Sequence, residues 1–370
     1  MKMQKFLYIG ARIGKTTDGG TICQKNMESL LQTIYGDCFH AVYVNDALVR
    51  GVKRIISYFQ FTPNIDFRKL WKKIRECVLS NKIEIVFLCS SAYGVIAERI
   101  KRAFPNISVI TFFHNIEKLY AKDYLSFAKP KSWYFYLYSS VAERKSVLHS
   151  DFILNINERD ANALYEVYGR KSSGLIPFFL KNTFSDSDIA EKEKCKTEIK
   201  AKKALFVGSA FFGNTQGLDW FINSVLPNLS INLVIVGSGM DSVYKTSEKI
   251  EVHGFVDNLN AYYENADFVL LPIVSGSGMK TKTAEAMMHG KVIVGTTEAF
   301  SGYDTEGFRG LFCCNSVAEF ENTVNQIDQG HFYTFNKEIY NHFCEHYSFD
   351  IAKKRMTDFL DVSLGGNDEK

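Results

Sequence analysis

The 370-residue chain has no run of 18 apolar residues, no Cys-x-x-Cys pair among its eight cysteines, and a formal net charge of only +3 at pH 7. The first absence excludes a membrane-spanning helix. The opening MKMQKFLYIGARIG carries lysines, but its apolar run is too short for a signal peptide, so the expectation is a protein that stays in the cytoplasm. The second absence removes the ligand spacing of a zinc ribbon. Cys23, Cys38, Cys77, Cys89, Cys195, Cys313, Cys314 and Cys344 read instead as reduced thiols of the core. The third leaves too little bulk charge to hold nucleic acid, so any basic surface must be local. Internal repeats are also missing, and there is little low complexity.

What is present is apolar sequence in quantity, 46% of the residues, on a chain too long for one comfortable core. Apolar strands alternate with helical patterns. In the first half the strands read Phe6 to Gly10, His40 to Val44, Ile83 to Leu88, Ile107 to Phe113 and Phe152 to Ile156. In the second they read Ala204 to Val207, Leu233 to Val236, Phe268 to Leu271, Val292 to Val294 and Gly310 to Cys313. Such alternation predicts an α/β protein with doubly wound parallel sheets in two domains. The polar, charged segment 181–203 between them reads as the hinge.

Most chemistry is concentrated in LPIVSGSGMKTKTAEAMMHGKVIVGTTEAFSGY, Leu271 to Tyr303. A strand ends at Pro272, and Gly276-Ser277-Gly278 lets the backbone turn tightly against a ligand. A helix follows with Ala284, Met287 and Met288 as its apolar stripe and Gly290 as its left-handed cap. Unpaired N–H groups and the positive dipole end favour an anion at that helix start, and Lys280 and Lys282 add full charges. Glu285 lies one turn beyond Lys282, placed either to pair with it or to accept from ribose hydroxyls. The bland alternative is a capped, solvated helix with an ordinary salt bridge.

This strand, GSG loop, lysine, Glu-Ala pair and Val-rich strand resembles the donor-site signature of the GT-B glycosyltransferases, especially retaining bacterial enzymes of family 4 type (glycosyl transferases group 1). Further segments resemble the family in order: Gly19-Gly20 in TDGGTICQKNMESLL, FFHNIEKLY with His114 and Glu117, SDFILNINERDANALYEVYG with LIPFF, FVGSAFFGNTQGLDWFINSVLP, and INLVIVGSG with VHGFVDNLNAYYENADFVLLP. The resemblance implies two Rossmann-like domains facing across a cleft: an acceptor-side domain 1–180, the linker 181–203, a donor domain 204–345, and a C-terminal segment 346–370 whose helix crosses back to the first domain. It implies transfer of a sugar from a nucleoside-diphosphate sugar to a glycan or lipid-linked acceptor, in surface polysaccharide biosynthesis and with retention. It assigns His114, Glu117 and Lys282 to catalysis, and Gly19, Gly20, Gly208, Gly278, Met279, Lys280, Lys282 and Glu285 to the donor.

Two departures from the family stand out. Where many members carry a first glutamate separated from the second by seven residues, counting back from Glu285 gives Ser277 here, so the sugar contact would pass to the N–H groups of Gly278 and Met279. Where many place an arginine and a lysine after the first strand of the second domain, it has Gly208-Ser209 and Asn214-Thr215-Gln216. The diphosphate then leans on Lys280, Lys282 and Arg12. No metal is expected to be required, because the helix dipole and lysines take the part that Mg²⁺ plays elsewhere.

Competing motifs are weaker. GARIGKT lacks the first glycine of a P-loop, since Ile9 stands in its place. Gly237-Ser238-Gly239 and Gly276-Ser277-Gly278 begin like dinucleotide fingerprints but have Ser242 and Thr281 where the third glycine belongs. Asp186-Ser187-Asp188 lies in the charged segment and reads as a solvated turn. His253 and His289 read as structural, and His114 as either a strand-end structural histidine or, from the resemblance, a group at the reacting centre.

For the acceptor side, FRKLWKKIRECV puts Phe67, Leu70, Trp71, Ile74 and Val78 on one helical face with cations mostly opposite. This is either a peripheral contact with the inner membrane face or a helix packed on the first sheet. The aromatic run Trp133 to Tyr138, near Lys129 and Lys131, is open in the same way. A GT-B sugar-nucleotide epimerase and a non-catalytic nucleotide-sugar-binding partner subunit are the rival functions.

Overall fold

The computed structural model describes residues 4–14, 19–51, 54, 57–58, 62–125, 130–276 and 278–364. It divides into two compact units, residues 1–177 with 353–370, and residues 178–352.

The first unit is built on a six-stranded parallel sheet: β1 (Phe6–Gly10), β2 (Phe39–Tyr43), β3 (Ile85–Leu88), β4 (Ser108–Phe113), β5 (Phe152–Asn155) and β6 (Gly174–Leu175), in the order β2-β1-β3-β4-β5-β6. Its strands are apolar at nearly every position because both faces of a parallel sheet are covered. Leu7, Ile9, Val86, Leu88 and Val109 pack with Leu70, Ile74 and Val78 of helix Phe67–Asn81 and with Ile96, Ala97 and Ile100 of helix Gly94–Ala103. Helix Phe67–Asn81 begins where the Asp66 side chain accepts from Lys69 N, and ends at Lys82, whose φ of 53° is left-handed. Its stripe of Leu70, Ile74 and Val78 is fully used by the core, which decides against that face as a membrane contact.

The second unit carries β7 (Lys203–Val207), β8 (Asn232–Val236), β9 (Ile250–His253), β10 (Phe268–Leu271), β11 (Val292–Gly295) and β12 (Leu311–Cys313), all parallel, in the order β12-β11-β10-β7-β8-β9. Chain order reverses between β7 and β10. That is the switch point where open α/β sheets leave a crevice at the carboxyl ends of their strands. Phe206, Leu270 and Val294 form the core with Leu218, Phe221 and Phe320, and each such side chain contributes about 1.5–3 kcal/mol by leaving water.

Three expectations are corrected. The charged segment is no open hinge: Asp186–Cys195 is a helix with a capping box in which Ser185 and Asp188 bond reciprocally, and the whole of 181–203 belongs to the second unit. Asp186 and Asp188 therefore start a helix rather than form a solvated turn. The cysteines are not uniformly core thiols, for Cys23, Cys89 and Cys314 are buried while Cys195 and Cys313 are exposed. Strands β6 and β9 went unread because one has two residues and the other, IEVH, is half polar. The final helix, Phe349–Leu364, contributes its residues from Lys353 onward to the first unit, where the Phe359 ring meets that of Phe152 edge-on at 5.8 Å. Among the described residues, no helix is long and apolar enough to cross a membrane.

Candidate active site

At the second unit's switch point, β10 ends in Pro272 and the chain reaches helix Thr281–Met288 through a loop of tight backbone. Gly276 has φ 132° and Gly278 φ 65°, conformations that favour glycine. Ser277 between them lies outside the described residues. Helix Phe212–Ser224 braces this loop at close range: a β-carbon on Gly217 would stand 1.6 Å from Pro272 O, and Ser275 Oγ bonds Gln216 Oε1 at 2.9 Å.

The helix start has the properties of an anion site. Lys280 is its N-cap and offers no side-chain acceptor to the first N–H groups. The N–H groups of Gly278 and Met279 have no hydrogen-bond partner among the described residues. The Met279 side chain is buried, and its sulfur accepts from Phe178 N at 3.4 Å.

The two lysines differ. Lys280 Nζ bonds Glu298 Oε1 at 2.6 Å and Gly278 O at 3.1 Å, while Tyr303 Oη donates to Lys280 O at 2.7 Å. It ties the loop down, with a carboxylate already at hand. Lys282 has no carboxylate within 4 Å among the described residues. Its Nζ donates to Asn214 Oδ1 at 2.6 Å and lies 5.6 Å from the centre of the Phe206 ring. Burial, and then the charge of Lys280, pull the Lys282 ammonium down to about 8, against a smaller opposite pull from Glu285. Asn214 in turn donates to Ser209 O at 2.7 Å. Gly208, following β7, provides the space in which the Lys282 side chain lies.

Glu285 does not pair with Lys282. It accepts from Tyr263 Oη at 3.2 Å, and burial holds its carboxyl above the usual range. Tyr263 is fully buried and stacks on His289 at 4.1 Å and 8°. Sequence reasoning missed Asn214, Tyr263 and Glu298. The Asn214-Thr215-Gln216 segment was noticed only as the place of absent cations. His289 is buried, and His253 bonds Glu251 at 2.7 Å.

The remaining residues belong to the first unit. Gly19 and Gly20 open helix Gly19–Tyr35, after residues that lie outside the described set. Arg12 is paired with Asp46 at 3.3 Å and lies over the Tyr43 ring at 4.2 Å. His114 follows β4, edge-on to Phe112 at 4.8 Å, with Nε2 buried and without a hydrogen-bond partner among the described residues. Burial lowers its pKa to about 4, so the imidazole is neutral at pH 7. Helix Glu117–Leu125 starts under a second carboxylate: Glu143 accepts from Glu117 N at 2.8 Å, Lys118 N at 3.2 Å and Tyr168 Oη at 2.7 Å. Burial and then Glu143 push Glu117 up to about 7. Glu143, 26 positions away, gave no signal in the sequence.

Two Rossmann-like units, with a cationic helix start at the switch point of the second, give the chain the GT-B fold. Residues 201–328 match the family Glycosyl transferases group 1. An uncharacterised 44.6 kDa protein of the cps region in Klebsiella pneumoniae is 25% identical over 276 residues, 67% of this chain and 66% of that protein. The O-antigen biosynthesis glycosyltransferase WbnH of Escherichia coli is 25% identical over 65% of this chain and 62% of its own length. The chain thus spans somewhat under two thirds of these relatives. Among solved structures, Anabaena Alr3699/HepE in complex with UDP and glucose aligns over 97% of this chain and 100% of its own, with TM-score 0.66 and 11% identity. A Rickettsia africae glycosyltransferase aligns over 98% and 100%, also at 0.66 and 11%. The likeness to these structures is one of fold, and the stretch that matches the group 1 family lies in the second unit.

Proposed function

We propose that this protein transfers a sugar, with retention, from a nucleoside-diphosphate sugar to a hydroxyl of a glycan or lipid-linked acceptor in surface polysaccharide biosynthesis. The observation that carries the reading is the uncapped helix start at the second unit's switch point, with Lys282 beside it and no carboxylate within 4 Å of that lysine among the described residues. The relatives named for O-antigen biosynthesis supply the pathway class.

Breaking the anomeric bond builds negative charge on the leaving diphosphate and positive charge on the sugar, and catalysis consists of fixed groups that stabilise both. Lys282 and the helix N–H groups take the diphosphate. Lys280, held by Glu298, keeps the Gly276 to Gly278 backbone in shape. Glu285 takes the ribose hydroxyls, and the N–H groups of Gly278 and Met279 take the sugar. His114, neutral at pH 7, serves as a hydrogen-bonding group toward the sugar, and Glu117 orients a hydroxyl. The departing phosphate accepts the acceptor's proton on the face it leaves, which preserves configuration. No metal is needed for this charge inventory.

The acceptor is proposed to lie at the membrane surface. Trp133 and Leu137, four apart on helix Pro130–His149, are 67% and 52% exposed, the placement of an interfacial anchor. Pelleting with anionic vesicles tests this, and loss of pelleting in Trp133→Ser is expected.

The donor reading is tested by saturation-transfer NMR with UDP-, GDP- and dTDP-sugars, with and without Mg²⁺. Selective binding of one nucleotide sugar with slow nucleotide release is expected. Silence across the panel from folded protein would overturn it.

A further inference from the structure

The second unit has a cavity of about 510 Å³ on its opposite side, by the amino ends of β10 and β11, with Phe184, Lys192, Cys195, His289, Lys291 and Phe335 in its lining. The donor reading makes no use of it. Lys291 is 2% exposed, and its Nζ donates to Ala266 O at 2.9 Å and Thr334 O at 2.7 Å. An ammonium has three N–H groups, and no carboxylate lies within 4 Å of this one among the described residues. His289, 4% exposed, is held between Tyr263 and the edge of Phe184, with no hydrogen bond to either ring nitrogen among the described residues. Lys192 Nζ lies 4.7 Å over the Phe184 ring. Burial first, and then the charge of Lys192, disfavour the proton on both His289 and Lys291, outweighing smaller opposite pulls on Lys291 from Asp267 and Glu264. This wall is short of negative charge.

The cavity's own carboxylates leave the shortage in place. Glu264 is committed to Lys192 at 2.8 Å. Asp188 accepts from Ser185 N at 2.8 Å and Ser185 Oγ at 2.7 Å, within its own helix cap. Glu191 is exposed to solvent.

We propose that this cavity binds a small organic anion, a phosphate or carboxylate borne on an aromatic body, separately from the donor site. The anion takes the third N–H of Lys291 and the charge of Lys192, and Phe184 and Phe335 cover the ring. A buried ammonium without a counterion is costly, so the anion relieves a deficit that is present beforehand.

Cys195 provides the readout, because it lines the cavity and is exposed. The full chain is alkylated with iodoacetamide in the presence of phenyl phosphate or benzoate, with no nucleotide added. The rate at the Cys195 peptide is followed by mass spectrometry. At a probe concentration four times its Kd, alkylation should slow about fivefold. Lys291→Met should abolish the protection, and Lys192→Gln serves if that variant fails to fold. An unchanged rate up to about 20 mM probe, weaker than the millimolar affinity expected for a small anion, overturns the proposal. So does protection that persists in both variants. UDP binding is read separately by NMR, so a failed donor reading and a failed cavity reading are told apart.

Discussion

A β-carbon on Gly208 would stand 2.7 Å from Cε and 3.1 Å from Nζ of Lys282, so the glycine after β7 is the seat of a lysine on a helix 74 residues later in the chain. In Gly208→Ala the lysine must move, and the diphosphate loses its nearest full charge. UDP affinity should fall about tenfold, or 1.4 kcal/mol, with the fold kept. Titration calorimetry with thermal melting checks this, and wild-type affinity in the variant would refute the seat.

Asn214 fixes the same lysine from its other side and is itself fixed by Ser209 O. Asn214→Leu removes the acceptor at similar volume. We expect UDP binding to weaken about tenfold to 150-fold, in line with about 1.5–3 kcal/mol for one hydrogen bond to a charged group. If Asn214→Leu and Gly208→Ala act only through Lys282, Lys282→Met should leave neither any further effect. A double-mutant cycle measures this.

The depressed pKa of Lys282, about 8, gives donor binding a pH dependence of definite sign. The free protein loses this proton as pH rises through 8, whereas bound diphosphate favours the charged form. Kd for UDP should therefore be flat near pH 7 and rise by up to about tenfold per unit above pH 8. Lys282→Met should give a flat profile over the same interval. A slope that survives the substitution would assign the proton to another group.

Acid stability should depend on two histidines held neutral by burial, His114 at about 4 and His289 at about 3, the latter also opposed by Lys192 and Lys291. In the unfolded chain each takes a proton near pH 6.5. Below that value the unfolded state binds more protons, so stability falls as pH drops, by up to about 1.4 kcal/mol per unit for each. Glu117, raised to about 7 by burial and Glu143, acts in the opposite sense, so the comparison is variant against wild type. Urea unfolding of His289→Gln and His114→Gln at pH 7 and pH 5 should each show a loss smaller by about 2 kcal/mol.

The sheets were legible because parallel strands are buried on both faces and read as unbroken apolar runs. FVLL and VIVG announce β10 and β11 without any tertiary information. The donor helix was legible for a local reason as well, since glycines, lysines and glutamate fall within ten residues of one turn. Partnerships set by the order of strands were not. Asn214 meets Lys282 because β7 and β10 are neighbours, and Glu143 reaches Glu117 N because helix Pro130–His149 lies beside the end of β4. The two lysines looked equivalent in MKTKT, and their distant partners, Glu298 for Lys280 and Asn214 for Lys282, separate them. Helix Asp186–Cys195 was hidden because its charge density resembles that of a linker, although Ser185 and Asp188 do have capping-box spacing.

Helix Thr281–Met288 is eight residues long, about 12 Å. One end presents N–H groups to the switch point, and the other leads into His289. Tyr263 bridges the two, with its ring on His289 and its hydroxyl on Glu285. Any molecule whose affinity depends on how that ring lies is thermodynamically linked to any molecule that depends on Glu285. By reciprocity, each must alter the other's binding constant by the same factor.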